Sequence, residues 1–160
     1  MRWYDACLRW QYRGGHPNAL ARFQNRTSAL AFGAGIGLQR AARLEVVGRS
    51  SGRLLSCPVV IADWEGERYL VSMLGETASW VRNVRAAKGR AVVRHRKRET
   101  VVLEEVAVER RPAILRRYLA LAPGARPHIP VDRHAPLEEF EALAPRIPVF
   151  RIAPVPADRR

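Results

Sequence analysis

The chain has few cysteines and no long apolar segment. Among its 160 residues only Cys7 and Cys57 are cysteines, far apart and without CxxC spacing. This pattern excludes a disulfide-stapled domain and predicts a reduced, cytoplasmic protein, with Cys57 buried in an apolar strand. No stretch is long and apolar enough to span a bilayer. Because Arg2, Asp5 and Arg9 interrupt the start of the chain, we expect no signal peptide.

Acidic residues and lysines are also scarce. The chain carries 15 Asp+Glu against 28 Lys+Arg, a formal net charge of +13, and only two of the cations are lysines. Nucleic-acid binding needs such cations, but the arginines are dispersed and no helix-turn-helix, zinc-finger or RNP pattern accompanies them. We therefore expect no nucleic-acid partner. Codon bias in a GC-rich genome, an anionic small ligand and an anionic membrane surface remain as explanations.

The pattern of apolar residues predicts one compact domain, mainly β with peripheral helices (α+β). Residues 1–43 form a helical lead-in, and residues 44–160 form the barrel domain. Alternation and turn residues predict strands at 44–47, 54–64, 68–72, 91–95, 100–106 and 149–152, with helices around Trp80, at 112–121 and at 137–143. Pro58 places its part of the second strand at an edge or a bulge. Six short strands with helices outside them predict a small, mostly antiparallel barrel.

The segment after the third strand is the most informative motif. A glycine turn is followed by Trp80 and Asn83, three residues apart on a short helix and therefore on similar faces. An exposed tryptophan is unfavourable and a buried asparagine needs hydrogen-bond partners. A planar, hydrogen-bonding ligand would satisfy both residues. The alternative is a helix that packs its tryptophan into the core.

The turn at 48–53 is the second motif. Two glycines flank two serines, and an arginine stands on each side of the serine pair. Glycine lets backbone N–H groups point into one concavity, serine hydroxyls donate, and arginine makes bidentate contacts with phosphate or carboxylate. The turn is thus a candidate anion site. An ordinary polar hairpin loop favours the same residue types.

Together, the order and spacing of these motifs resemble the deazaflavin-dependent nitroreductase family, actinobacterial proteins that use coenzyme F420. The resemblance covers residues 44–105, and the strand at 149–152 fits the family's last strand. It implies a split β-barrel of the FMN-binding type, with the coenzyme in a groove across it. It also implies hydride transfer from reduced F420 to a quinone, nitroaromatic or other activated double bond.

The resemblance assigns residues to the coenzyme by matching motif. The phosphate and acidic tail would be held by Arg49, Ser50, Ser51, Gly52 and Arg53. The deazaflavin would be lined by Pro58, Val59 and Val60 and approached by Ser72, Met73, Leu74 and Gly75, while Trp80 and Asn83 would support the pocket. Many members carry a second cation where this chain has Ser50, and Arg82 or Arg85 would compensate.

The reduced deazaflavin carries the difficult step, so the protein must hold the acceptor against the ring and help to protonate the product. Ser72 and Tyr118 are the candidate catalytic donors. His128 and His134 titrate near neutral pH and are candidate proton sources, although their Pro-rich loop also fits a structural role.

Two further interpretations of the sequence stay open. His128, Asp132 and His134 have the composition of a three-ligand metal site, but the prolines among them make the loop irregular, and we expect no metal. The same fold without turnover would make the chain a non-catalytic protein that binds F420, FMN, haem or lipid.

The N-terminal segment predicts a membrane contact. Trp3, Tyr4, Leu8 and Trp10 alternate with arginines, a pattern typical of a helix in the interface of an anionic membrane. The alternative is that these aromatic residues pack over the barrel or in a homodimer contact.

Overall fold

The computed structural model describes residues 37–157, which form a closed six-stranded barrel with helices outside it and at one end. The predicted N-terminal helix with Trp3 and Trp10 lies outside the described residues. The strands are β1 (Ala41–Val47), β2 (Leu54–Trp64), β3 (Glu67–Val71), β4 (Arg90–His95), β5 (Lys97–Glu105) and β6 (Val149–Pro154). The helices are α1 (Gly37–Arg40), α2 (Ser79–Ala86), α3 (Arg111–Leu121) and α4 (Leu137–Leu143).

All neighbouring strands are antiparallel, in the order β1-β2-β3-β6-β5-β4, and β4 closes the barrel by pairing with β1. The predicted mainly β, split-barrel fold with peripheral helices is therefore confirmed. β2 pairs with β1 along Leu54–Val60, and its pairing with β3 begins only at Ile61. Pro58 thus lies where β2 has a single paired neighbour among the described strands, as its missing N–H group requires.

Strand alternation divides the apolar residues into two cores. Inside the barrel, register partners meet across the strands, for example Ile61 with Leu70 and Leu70 with Phe150, and all three are buried. Between them, Ala62, Tyr69 and Val149 point outward and pack beneath α3 and α4. Each strand of this part therefore contributes to both cores.

The structure differs from the prediction at the tip of the second hairpin and in the burial of Cys57. The second hairpin turns at Arg96 alone, with φ 63°, since His95 already pairs with Lys97. The predicted turn over 96–99 was wrong, because the two strands stay paired to their tip despite the run of charges. Cys57 was expected to be buried and is half-buried. None of the helices within residues 37–157 is long and apolar enough to cross a membrane.

Gly89 joins α2 to β4 at a point where only glycine fits. Its φ is +80°, its N–H donates to the carbonyl of Val84, and an added Cβ would lie 2.5 Å from the backbone oxygen of Leu103. Gly66, in the β2–β3 turn, has a similar φ of +78° but open space around it. Alanine substitution at Gly66 therefore introduces backbone strain alone, whereas substitution at Gly89 introduces backbone strain and a steric clash.

We predict that Gly66→Ala destabilises the protein by about 1–2 kcal/mol, the cost of a left-handed L-residue. Gly89→Ala should cost a further 1–3 kcal/mol, on the order of an overpacked core, because the clash is added to the same strain. Denaturant unfolding of both variants measures the difference. Equal losses would show that β5 moves away from Gly89 without cost.

Candidate active site

Most of the predicted site residues gather at one end of the barrel. Because the strands are antiparallel, β1, β3 and β5 end there and β2, β4 and β6 begin there. The 48–53 turn joins β1 to β2 at this end, and the loop at 72–78 leads from β3 into α2. Helix α2 covers the end by burying Val81 and Val84 against the inner core, together with Ala78, which immediately precedes the helix.

The 48–53 turn is closed by its own backbone. The N–H of Gly48 donates to the carbonyl of Arg53 at 2.7 Å, and the N–H of Gly52 donates to the carbonyl of Gly48 at 2.9 Å. Gly52 has φ +63°, which favours glycine. Ser51 Oγ accepts from the N–H of Arg53 at 3.2 Å. The turn therefore presents its exposed side chains at a fixed place, and these are Arg49, Ser50, Ser51 and Arg53.

Arg49 and Asn83 connect the two motifs that the sequence singled out. Asn83 is only 3% exposed, and its Oδ1 accepts from the backbone N–H of Arg49 at 3.2 Å and from Arg49 Nη1 at 2.8 Å. The same Nη1 lies 3.5 Å from the carbonyl oxygen of Ser79. Asn83 is thus a buried amide whose oxygen fixes the turn onto α2. The side-chain oxygen of Asn83 is used within the protein.

The loop after β3 is held by short-range hydrogen bonds. Ser72 is buried, its Oγ donates to the carbonyl of Gly75 at 2.8 Å, and the N–H of Gly75 donates back to the carbonyl of Ser72 at 2.9 Å. The N–H of Ser72 reaches the carbonyl of Pro148 at 2.9 Å. The hydroxyl hydrogen of Ser72, a predicted catalytic donor, is therefore committed to this loop.

Apolar side chains surround this loop. Trp80 is half-buried, with its ring centroid 5.5 Å from that of Phe150 and the planes inclined by 58°. Leu74 packs with Trp80 against the inner core, whereas Met73 packs against the outer core. The 72–75 loop thus spans the rim between the two cores and offers half-buried apolar surface to a ligand.

A network of ion pairs, which the sequence did not predict, connects the loop after β3 with α2 and the end of β5. Arg85 bridges two carboxylates, with 2.6 Å to Glu76 Oε2 and 2.6 Å to Glu105 Oε1. Hydrogen bonds from Arg85 lower the pKa of Glu76, and the carboxylates raise the pKa of Arg85. The expectation that Arg85 compensates for the missing tail-binding charge is not supported by this geometry. Arg82 is exposed and makes no ion pair within residues 37–157.

Arg111 extends this network into the protein. Its guanidinium is buried, donates to the carbonyls of Val106, Ala144 and Ile147 at 2.8, 3.0 and 3.3 Å, and lies 3.4 Å from Glu105 Oε1. The carbonyls of Ala144 and Ile147 belong to the segment that leads to Pro148, the partner of Ser72. Arg111 therefore fixes the segment against which the 72–75 loop rests.

Tyr118 is the second predicted catalytic donor. It is buried in the outer core on α3, and this burial raises the pKa of its phenol. The neighbouring Arg117 donates to the carbonyl of Asp63 at 3.2 Å, near the opposite end of β2. Arg40 and Arg117 both bond the Asp63 carboxylate; although partial burial raises its pKa, these hydrogen bonds lower it overall. The two predicted catalytic donors thus have different surroundings, Ser72 in the hydrogen-bonded loop after β3 and Tyr118 in the outer core.

The remaining predicted residues are divided among different surfaces. Pro58 is exposed, Val59 packs toward the inner core and Val60 toward the outer core. The side chains of Val59 and Val60 therefore do not share one face of β2.

The histidine loop has local partners. The N–H of His134 donates to Asp132 Oδ1 at 2.8 Å, and Arg133 Nε donates to His134 Nε2 at 3.0 Å. Desolvation lowers the pKa of His128. No group of three or more His, Cys, Asp or Glu side chains in the described part of the chain is arranged to hold a metal ion.

A family model decides the class of protein. The model of the F420H(2)-dependent quinone reductase family matches residues 19–136. The chain belongs to this family. The match confirms the predicted deazaflavin-dependent family, the reductase class and coenzyme F420. Since the match includes the 48–53 turn, the 72–75 loop and α2, it covers the barrel end described above. No curated protein matches the chain.

Solved structures share the fold of this family member. A protein of unknown function from Agrobacterium tumefaciens is 15% identical over 72% of this chain, with a TM-score of 0.53, and the chain spans 49% of its length. A structure described as a domain-swapped dimer is 18% identical over 86% of this chain and 99% of its own, with a TM-score of 0.51. An F420-H2 dependent reductase, FDR-A, is 24% identical over 71% of this chain and 94% of its own, with a TM-score of 0.46.

The residues at the barrel end fit the coenzyme of this family. Arg53 and Arg82 are exposed cations without an ion-pair partner within residues 37–157, which suits a phosphate and an acidic tail. Half-buried Leu74 and Trp80 suit a planar ring. The exposed arginines therefore suit the phosphate and acidic tail of F420, and the half-buried apolar side chains suit its ring.

We predict that Arg111→Met destabilises the protein by about 1–3 kcal/mol or more, because buried backbone carbonyls would be left without their charged donor. The carbonyls of Val106 and Ile147 would lose the guanidinium that donates to them. The neighbouring Arg110 is exposed, and its side chain makes no ion pair or hydrogen bond within residues 37–157, so Arg110→Met should change stability by no more than about 0.5 kcal/mol. Chemical denaturation compares the two variants, and a similar small effect of both would contradict the supporting role of Arg111.

Proposed function

We propose that this chain transfers a hydride from reduced F420 to a quinone at the barrel end formed by the 48–53 turn, the 72–75 loop and α2. The observation that carries the proposal is the contact between Arg49 and Asn83, which joins the cationic turn to the helix beside the apolar rim. Reduced F420 supplies the hydride when bound. The protein supplies binding, orientation and exclusion of water.

The phosphate and tail are assigned to the exposed arginines. Arg53 and Arg82 carry the direct contacts in this proposal, because no carboxylate in residues 37–157 pairs with them. Arg49 has one nitrogen engaged with Asn83 and the rest of its guanidinium free for an anion. Asn83 acts through Arg49 as a positioning residue. Arg82 takes the role of the cation that the turn lacks at Ser50.

The ring is assigned to the rim of the two cores. Met73, Leu74 and Gly75 lie half-buried at that rim, and Trp80 closes it from α2. A planar acceptor stacked on the ring would be held by these apolar surfaces and shielded from water. The rigid Ser72–Gly75 turn keeps the rim in place.

The environment of the two predicted donors favours a quinone over an alkene as acceptor. Ser72 donates its hydrogen to Gly75, and Tyr118 lies in the outer core with a raised pKa. A quinone that accepts a hydride becomes a hydroquinone anion, whose oxygen takes a proton from water. An activated alkene would become a carbanion, which needs a positioned acid. Nitroaromatics remain the second class to test.

Two predictions about partners, a membrane contact and a homodimer, rest on the amino-acid sequence alone. Membrane contact through the aromatic residues at 3–10, and a homodimer, concern residues or surfaces on which the described chain gives no contact. Co-sedimentation with anionic vesicles of the full chain and of a variant lacking residues 1–15 tests the first. The cytoplasmic location likewise stays a prediction.

The test of the function is a titration followed by turnover. The purified protein should bind F420 with micromolar or tighter affinity, and more tightly than FMN or haem. It should oxidise reduced F420 when a naphthoquinone is added. Binding without turnover on quinones and nitroaromatics would instead favour the non-catalytic binding protein. Absence of F420 binding would overturn the proposal.

We predict that Arg53→Gln weakens F420 binding about tenfold or more, since a charge-assisted hydrogen bond contributes about 1.5–3 kcal/mol. Arg110→Gln removes the same charge from an exposed position beside α3 and should leave the affinity unchanged. Fluorescence titration of F420 measures both. If the two variants bind equally well, Arg53 does not contact the coenzyme.

We predict that Asn83→Ala also weakens F420 binding, because Arg49 loses its acceptor and the turn is no longer fixed to α2. Replacement by Asp keeps an oxygen that accepts from Arg49, so Asn83→Asp should retain more affinity than Asn83→Ala. Thermal unfolding is measured beside the titration. A fall in melting temperature with unchanged affinity would make Asn83 a residue of the fold only.

A further inference from the structure

An exposed arginine lies beside the loop to which the coenzyme ring is assigned. Arg146 ends the short 3-10 helix Ala144–Arg146 that precedes β6. Gly75 approaches this helix so closely that an added Cβ would lie 3.1 Å from the backbone oxygen of Arg146. β6 is also the neighbour of β3 in the barrel. The segment that enters β6 and the loop that leaves β3 therefore lie side by side at the rim.

The backbone around Arg146 is fixed, whereas its side chain is not. Arg111 Nη1 donates to the carbonyl of Ile147 at 3.3 Å. The N–H of Ser72 donates to the carbonyl of Pro148 at 2.9 Å. These hydrogen bonds hold the segment against the 72–75 loop. The side chain of Arg146 is exposed and can turn toward a ligand on the rim.

The positive charge of Arg146 is not neutralised within the protein. Its side chain makes no ion pair or hydrogen bond within residues 37–157. The carboxylates of this part of the rim already have cations of their own. Arg85 lies 2.6 Å from Glu76 and 2.6 Å from Glu105, and Arg111 lies 3.4 Å from Glu105. An external group with negative charge is therefore the partner that Arg146 lacks.

Strand order separates Arg146 from the cations assigned to the coenzyme tail. Around this end of the barrel, the 48–53 turn between β1 and β2 is followed by the loop after β3 and then by the entry to β6. Arg49 and Arg53 thus lie on one side of the 72–75 loop and Arg146 on the other. With the tail on the turn and the ring on the loop, Arg146 stands on the side away from the tail.

We propose that Arg146 is a catalytic residue that binds an oxygen of the acceptor and stabilises the negative charge that develops there during hydride transfer. The proposal rests on the proposed function, because the ring must lie on the 72–75 loop. A guanidinium keeps its proton at all relevant pH values. Arg146 therefore acts by charge and hydrogen bonding, and it supplies no proton.

The exchange balances without a protein acid. Reduced F420 gives up a hydride and a proton overall, and the quinone gains both. As the hydride bonds to the quinone, an electron pair moves onto one quinone oxygen, and this oxygen then takes a proton from water. A donor aimed at such a developing oxyanion stabilises the transition state. Ser72 cannot be that donor in its observed geometry, since its hydroxyl donates to Gly75.

The first experiment measures hydride transfer in a single turnover, with reduced F420 bound at saturation and a naphthoquinone added. Arg146→Gln should slow this step about tenfold or more, the loss expected for one charged donor. Its F420 affinity and melting temperature should equal those of the parent, because the side chain is exposed. Arg146→Lys keeps the charge and should retain part of the rate. Arg110→Gln removes another exposed, unpaired arginine and should leave the rate unchanged.

The second experiment measures binding without turnover. A hydroxynaphthoquinone with an ionised hydroxyl carries the negative oxygen that the reaction would form, and its methyl ether is uncharged. The parent loaded with oxidised F420 should bind the anion more tightly than the ether. Arg146→Gln should lose that preference, and Arg110→Gln should keep it. Calorimetric titration measures all four affinities.

Retention of both the transfer rate and the anion preference in Arg146→Gln would overturn the proposal and leave the proposed function intact. Weaker F420 binding by this variant at an unchanged saturated rate would also overturn it, because Arg146 would then be a coenzyme ligand. If the parent itself fails to oxidise reduced F420 with any quinone, the proposed function is wrong.

Discussion

The contact between Arg49 and Asn83 holds the candidate site together. The turn and the helix that it joins are 34 positions apart in the chain, and each belongs to a different connection of the barrel. A buried amide oxygen without a donor would be unfavourable by about 1–3 kcal/mol, so the fold requires the turn to lie where it does. The exposed Arg53 and the apolar rim near Trp80 then lie at the same end of the barrel.

A second layer of support reaches the rim from the outer core. Glu105 at the end of β5 accepts from Arg85 of α2 and from Arg111 of α3, so one carboxylate joins the helix over the barrel end to the helix along its side. Arg111 in turn holds the carbonyls that precede β6. The cations at the barrel end thus fall into two groups. The side chains of Arg85 and Arg111 are engaged in ion pairs and hydrogen bonds within the protein, whereas those of Arg53 and Arg82 make no ion pair within residues 37–157.

Local patterns in the sequence predict most of the barrel. β2 was predicted at its observed bounds, and all six strands were predicted, because alternation is a short-range signal. The role of Arg111 was missed, since it looks like any other of the dispersed arginines. Its carbonyl partners at Ala144 and Ile147 lie more than 30 positions away in the chain, and a contact over such a distance cannot be predicted from local residue spacing. The same limit applies to Tyr118, whose polar group suggested chemistry but whose helix faces the outer core.

The position of Pro58 in β2 has a consequence for strand pairing. Within the described residues, β2 pairs with β1 along Leu54–Val60 and with β3 only from Ile61 onward. Pro58 has no N–H group to donate to a neighbouring strand. Any strand beside this part of β2 therefore meets a gap in its ladder at Pro58, so a continuous sheet can form there only with a strand that tolerates one missing hydrogen bond.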